Sequence, residues 1–318
     1  MTSVSIIVVT TGLPSQLGCL TSLLDSLSRQ SARDFELIIA SESQSARLME
    51  IFRDFFCPCE RHRVIVTGRW NKCKTANRAI KNSCGDIIVL LEDDLVLEDR
   101  WLEKALDTFN EVPHAGCIYP KCIWVYKEGS TSKRGAASFI AKVLSKLSVH
   151  ESLLRRQTRR INEHLSEVPV FTMCVACKRE ALYQAQLFDE SIMEPIQGED
   201  FDLAFRIRAA GYKIVANKEP VARHYTKQVT KKSRRFSKEP KSIEGIYGSE
   251  TYFLVKNRGS IGFYVLSHLL YRVVESFAWT IRSRRITIPI YCMKGLLTGA
   301  VLGLRKCGRS SRYEPARV

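Results

Sequence analysis

The sequence predicts an α/β fold with a mostly parallel central sheet, and three observations carry that expectation. Val4–Val9 is an apolar, β-branched run ended by Thr10, Thr11 and Gly12, as suits a strand buried on both faces. Leu17, Leu20, Leu23, Leu24 and Leu27 follow at helical spacing, and Phe35–Ala40 returns to a strand-like run, giving the order of a βαβ unit. Asp86–Leu91 is a further strand that runs directly into Glu92-Asp93-Asp94. Acidic residues at the carboxyl end of a parallel strand stand where open α/β sheets bind their ligands.

The remaining elements follow in order. Val64–Thr67 reads as a short third strand, Lys74–Asn82 and Trp101–Phe109 as helices, and Val168–Cys177 as a strand. Between them lies a small basic insertion, 128–167, in which Phe139, Ile140, Val143, Leu144 and Leu147 share one helical face while Lys142 and Lys146 point away. Such a face suits core packing or a membrane or acceptor contact. Phe188-Asp189-Glu190 opens a loop, Gly198–Ala210 forms a helix ended by Gly211, and Tyr212–Ala216 is a short strand. Residues 223–241 are basic and poor in apolar anchors, so they read as a mobile loop.

Two apolar segments come last. Ile261–Ile281 is interrupted by Arg272 and Glu275, and Ile286–Leu304 by Pro289 and Lys294, so neither is a clean membrane span. Gly295, Gly299 and Gly303 place small residues on one helix face, where another helix can approach closely. Interfacial or re-entrant helices flanked by Arg282, Arg284, Arg285, Arg305, Lys306 and Arg309 are expected, with a soluble helical cap as the alternative. The expected division is therefore a catalytic domain at 1–226, a basic flexible loop and connector at 227–258, and a helical, membrane-associated region at 259–318.

Composition narrows the function classes. The chain has 318 residues and 36.2 kDa, and its 45% hydrophobic content is enough for one large or two smaller cores, which excludes disorder as the main state. The net charge of +16 is uneven. Residues 1–217 carry 28 basic and 27 acidic side chains, whereas 218–318 carry 21 and 6, so the last third should meet something anionic. The start has no basic n-region and no small-residue cleavage site, so the catalytic part is expected at the cytoplasmic face of the cell membrane. The 11 cysteines are then expected to be reduced and mostly buried, with Cys57, Cys59, Cys174 and Cys177 as a weakly patterned zinc alternative.

Three consecutive acids repel one another unless a cation or hydrogen-bond donors compensate, and a hard divalent ion, magnesium or manganese, fits Glu92-Asp93-Asp94 best. A second acidic group, Gly198-Glu199-Asp200 with Asp202, opens a predicted helix, where it also complements the helix dipole.

VSIIVVTTG, FELIIASES, NKCKTANRAIKNSCGDIIVLLEDDLVLEDRWLEKAL and FDESIMEPIQGEDFDLAFRIRAAGYKI together resemble a family 2 glycosyltransferase, across roughly residues 3–226. The resemblance implies a Rossmann-like A-type glycosyltransferase fold and an inverting transfer from a nucleoside-diphosphate sugar donor. It implies Asp94 as a metal ligand, Glu92 near the metal or donor ribose, and Asp200 of the Glu199-Asp200 pair as general base. His224 matches a position that often binds the metal or faces the diphosphate. Thr10, Glu42 and Asp93 match positions lining the nucleotide pocket, with Glu42 the candidate partner of the base. Lys74 and Asn77 belong to the same donor-facing segment.

The chain departs from the family's pattern at Ser41-Glu42, where two aspartates are usual, and at Ala76-Asn77, where Arg-Asn is common; Lys72 and Lys74 are candidates for the missing charge. The Gln-x-x-Arg-Trp motif of processive synthases is absent, and Arg223-His224-Tyr225 stands where dolichyl-phosphate mannose synthases carry a different loop. Transfer of one sugar to a saccharide, or to one carried on a lipid diphosphate, is therefore expected, with a polyprenyl-phosphate glycosyltransferase as the alternative. Lys227, Lys231, Lys232, Arg234 and Arg235 could hold acceptor phosphates at a membrane surface. A sugar-nucleotide pyrophosphorylase would need a glycine-rich basic loop that Thr10-Thr11-Gly12-Leu13-Pro14 does not supply. A nucleic-acid partner rests on the basic third alone and is not expected.

Overall fold

β1 (Val4–Thr10) is buried at every position, as befits a central strand paired along both edges, with Glu36–Ser41 on one side and Ile87–Glu92 on the other. The computed structural model describes residues 2–43, 45–68, 70–125, 164–194, 196–225, 240–258 and 264–307. The amphipathic face of Phe139 to Leu147, the run from Lys227 to Arg235, and Arg309 lie outside the described residues. Two compact units are present, the first within Met1–Lys127, Gln157–Glu190 and Leu203–Lys227, the second within Glu128–Arg156, Ser191–Asp202 and Gln228–Val318.

Among the described residues the first unit is built on a nine-stranded sheet. Parallel pairing joins β1 to β2 (Glu36–Ser41) and to β4 (Ile87–Glu92), and β2 to β3 (His62–Val66). On the other side of β4 the order continues through β8 (Cys174–Lys178), β6 (Ala115–Val125), β9 (Lys213–Tyr225) and β5 (Leu95–Leu97), with β7 (Ser166–Glu167) paired to β9. β8 runs antiparallel to β4 and β6, whereas β6 and β9 are parallel.

The crossover helices form for local reasons. α1 (Pro14–Ser28) starts on a proline, which lacks the N–H that a first helical turn leaves unpaired, and buries the five leucines of its periodic face. α2 (Ala46–Phe55) is capped by Ser45, whose hydroxyl accepts from the Leu48 N–H. α3 (Lys72–Lys81) is capped by Asn71, which accepts from Lys74 N at 2.9 Å. α4 (Trp101–Glu111) buries Trp101, Leu102, Ala105 and Phe109, and α5 (Arg179–Gln184) follows β8. The chain passes between the units within α6 (Glu199–Ala209).

Several expected elements are redrawn. Of the expected Val168–Cys177 strand only Cys174–Cys177 is extended in β8; β7 lies just before it at Ser166–Glu167, and Pro169, which has no N–H for a ladder, falls in the stretch between. The expected strand at Tyr212–Ala216 is the start of the thirteen-residue β9. Its register against β6 jumps from Pro120–Asn217 to Lys121–Val221, so Lys218, Glu219 and Pro220 bulge out before pairing continues to Tyr225.

Cys174 and Cys177, three apart in β8, point to opposite faces, while Cys57 and Cys59 are exposed, so the four do not converge on a zinc site. Cys177 instead accepts a hydrogen bond from the Cys117 thiol at 2.8 Å, and burial pushes its pKa up.

In the second unit, residues expected to belong to a loop and connector form the helix α7 (Pro240–Lys256), followed by α8 (Tyr264–Ser283) and α9 (Ile288–Cys307). α9 lies against α7 through its glycine stripe. A Cβ at Gly299 would collide with the Gly248 carbonyl oxygen, and one at Gly295 would crowd the Glu244 carbonyl. Ile243, Tyr247, Ile288, Cys292 and Leu296 form the core between these helices. Arg272 and Glu275, the residues that interrupt the apolar run of α8, face inward: Arg272 pairs with Glu250 of α7 and with Glu275, and Glu275 accepts from Tyr271 at 2.9 Å and Tyr247 at 3.2 Å.

Candidate active site

Three parallel strands end side by side at one edge of the sheet, and their carboxyl ends carry Thr10, Glu42 and the acidic triplet. β1 and β4 pair in register through Val9 and Glu92, which sets the next residues, Thr10 and Asp93, opposite each other. The Thr10 hydroxyl donates to Asp93 Oδ2 at 2.5 Å and accepts from the Gly12 N–H at 3.1 Å, so it orients a carboxylate that is only 2% exposed.

Glu92 and Asp94 turn toward β9. The pairing of β5 with β9 sets Leu95 opposite His224, and the Tyr225 N–H donates to the Asp94 carbonyl at 2.9 Å. These backbone bonds bring His224 Nε2 to 3.1 Å from Asp94 Oδ1 and 3.9 Å from Glu92 Oε2. One ligand atom from each of Glu92, Asp94 and His224 lies within 4.8 Å of the others. Among the described residues this is the group able to hold a metal ion.

The electrostatics of the cluster are strongly negative. Burial alone would lower the His224 pKa, but hydrogen bonds to Asp94 and Cys122 and the charges of Asp94 and Glu92 outweigh it and raise the imidazole to about 10. The same carboxylates that favour the imidazolium would attract a cation, which would take the place of the imidazole proton on binding. Lys72 Nζ adds a fixed charge 2.8 Å from Glu92 Oε1, and the Trp124 ring stacks on the imidazole at a centroid distance of 4.1 Å.

Trp124 has no place in the sequence expectation, and Lys72 enters it only as one of two candidate charges. Of the two charges, Lys72, in the first turn of α3 after the Asn71 cap, turns in to the acids, and Lys74 is exposed on a face shared with Arg78 and Lys81. Trp124 could be found only through the β6–β9 register, which sets it opposite His224.

Asn77, expected to contact the donor, has its amide committed elsewhere. Its nitrogen donates to the Phe188 carbonyl and to Glu190 Oε1, both at 2.9 Å, and its oxygen accepts from the Phe188 N–H at 2.9 Å. It anchors the loop that begins at Phe188. Glu42 is half-buried just beyond β2.

Glu199 and Asp200 open α6 in the second unit, with Glu199 3% exposed and Asp200 half-buried. Their turn is fixed by the third acid. Asp202, fully buried, lies 2.9 Å from Lys256 Nζ and accepts from Asn257 Nδ2 at 3.0 Å, and Phe201 packs edge-on against Phe253. The segment YFLVKN thus clamps the turn that carries the Glu-Asp pair. Lys256→Met should leave a buried carboxylate without its cation and cost about 3–5 kcal/mol. Thermal unfolding should show the loss and its partial recovery in the double variant with Asp202→Asn; melting within about 2 °C of the parent would remove the clamp from the account.

The family model for "Glycosyltransferase like family 2" matches residues 2–237. No curated protein sequence matches the chain significantly. Among solved structures, GalNAc-T7 with UDP, GalNAc and Mn²⁺ is similar at a TM-score of 0.53 and 13% identity, over 90% of this chain and 58% of its own. The chain therefore spans less than two thirds of GalNAc-T7. Residues 1–349 of S. aureus TarS in complex with UDP-GlcNAc are similar at a TM-score of 0.52 and 13% identity, over 98% of this chain and 93% of that one. At that identity the two structures speak for the fold alone, a Rossmann-like A-type glycosyltransferase sheet. With the family model spanning the whole sheet, the chain belongs to the family 2-like glycosyltransferases.

Proposed function

We propose that the protein moves one sugar from a nucleoside-diphosphate sugar to a hydroxyl of a saccharide acceptor, with inversion at the anomeric carbon. The observation that carries this reading is the convergence of Glu92, Asp94 and His224 at the carboxyl end of β4, beside the Thr10–Asp93 pair. Uridine nucleotides are the first to test, because the GalNAc-T7 structure contains UDP and the TarS structure UDP-GlcNAc.

Glu92, Asp94 and His224 would hold a divalent cation, manganese or magnesium, which supplies neutralisation of the charge that develops on the departing diphosphate. The donor set fits such an ion, and the imidazole nitrogen favours manganese, since magnesium prefers oxygen ligands and water. Lys72 offsets part of the Glu92 charge and holds that side chain in place. Trp124 covers one face of the His224 ring and limits its rotation. Thr10 presents Asp93 for hydrogen bonding to the nucleotide, and Glu42 supplies a carboxylate for the base.

Asp200 is the proposed general base. A carboxylate within hydrogen-bond reach of the acceptor hydroxyl takes its proton as the oxygen attacks the anomeric carbon. The strongly basic last third supports an acceptor that carries phosphate, such as a saccharide on a lipid diphosphate.

The test is incubation of the full chain with manganese or magnesium, a panel of nucleotide sugars and a membrane lipid extract, following both sugar transfer and nucleoside diphosphate release. Metal-dependent transfer from one donor is the expected result. Failure of every nucleotide sugar to bind the folded protein would contradict the reading.

A further inference from the structure

α8 is amphipathic in the inverted sense. Its charged and polar side chains His268, Arg272 and Glu275 share the face turned toward α7, where Arg272 and His268 meet Glu250. Its opposite face carries Leu266, Leu270, Val274, Phe277 and Ile281, spaced by four, four, three and four residues, and all of them are exposed. A surface helix of a water-soluble protein has the reverse arrangement.

α9 repeats the pattern. Its glycine stripe is spent against α7, and the far side exposes Ile290, Met293, Leu297, Val301 and Leu304. Ile286, in the short link between the two helices, is 83% exposed. The helices are antiparallel neighbours, so these eleven side chains form one patch, far more than the scattered apolar residues of an ordinary surface. Among the described residues no helix is long and apolar enough to cross a membrane.

Charge identifies what covers the patch. Residues 264–307 contain seven Lys or Arg and a single acid, Glu275, which is turned inward. Arg284 and Arg285 stand at one end of the hairpin and Arg305 and Lys306 at the other, all partly or fully exposed. A second copy of the same face would bring cations against cations with no acid to pair them. A surface that is apolar inside and anionic at its boundary matches both features.

We propose that the α8–α9 hairpin lies flat on an anionic lipid surface, its apolar face in the acyl boundary and its terminal arginines among the headgroup phosphates. This rests on the geometry of α7–α9 alone and stands or falls separately from the sugar-transfer reading.

The test is sedimentation of the full chain with vesicles of phosphatidylcholine, alone or mixed with phosphatidylglycerol. Binding to the mixed vesicles should exceed binding to the neutral ones and fall with salt. Leu270→Gln with Leu297→Gln should lose at least about tenfold in affinity per leucine. Arg284→Gln with Arg305→Gln should lose about fivefold per arginine on mixed vesicles. All four sites are exposed, so each variant should melt with the parent. Unchanged binding in the leucine variant would overturn the proposal, as would a parent that ignores mixed vesicles. A parent that dimerises in solution without vesicle binding, and that the leucine variant renders monomeric, would assign the face to a second copy instead.

Discussion

Asp200→Asn should lower sugar transfer by about 10²–10⁴-fold while leaving donor affinity nearly unchanged. Asparagine keeps the shape of the side chain and removes its ability to take a proton, so the loss should fall on turnover rather than on binding. The first turn of α6 has supports apart from Asp200, since Asp202 is locked by Lys256 and Asn257 and Phe201 packs on Phe253. The variant should therefore keep its fold, which its melting curve checks alongside the kinetics. Steady-state kinetics against the donor, with binding measured by calorimetry, checks both halves of the expectation. Retention of more than about a tenth of the activity would show that another group accepts the proton.

Asp94→Asn should have the opposite signature. It removes a charged ligand from the cluster and the partner that orients His224, so metal affinity should fall by at least about 100-fold. Donor affinity should fall with it wherever the donor binds through the ion. Because Asp94 and His224 are also tied by the Leu95–His224 strand pairing and the Tyr225 N–H bond, the local backbone should survive the change. Raising the manganese concentration should recover part of the activity, which it should not do for Asp200→Asn.

The parts of the fold that can be read from the sequence are those whose cause is local or continuous. β1, β2 and β4 are buried on both faces and so appear as unbroken apolar runs, and α1 shows its leucines at helical spacing. β6 and the far half of β9 are hidden because Gly116, Pro120 and Pro220 break the pattern. Those strands exist through pairing with each other, β8 and β5, over separations that a local pattern does not encode. α7 begins with Pro240 at the end of a basic stretch, and it is held by the glycines of α9 some fifty residues later. Ser45 is a readable cap for α2, although that helix is absent from the sequence expectation.

The site divides in the same way. Glu92, Asp93 and Asp94 are legible because a buried strand points them at the ligand edge of the sheet. His224 is legible only through family resemblance, since the β5–β9 ladder brings it back to the triplet. Lys72 and Trp124 depend on a helix start and a strand register, and Asn77 has the sequence position of a donor contact but the hydrogen bonds of a loop anchor. On the helical hairpin, the charges that break the hydropathy of α8 in sequence turn inward in the fold and leave the outer face apolar.

The most direct test of the central claim is the paramagnetic resonance signal of free aqueous Mn²⁺, titrated with the full chain and uridine diphosphate. The account predicts that the parent protein depletes the signal, that Asp94→Asn and His224→Ala leave most of it intact, and that Asp200→Asn depletes it as the parent does. Equal depletion by all four proteins, or none by the parent, would contradict a metal-dependent donor site at Glu92, Asp94 and His224.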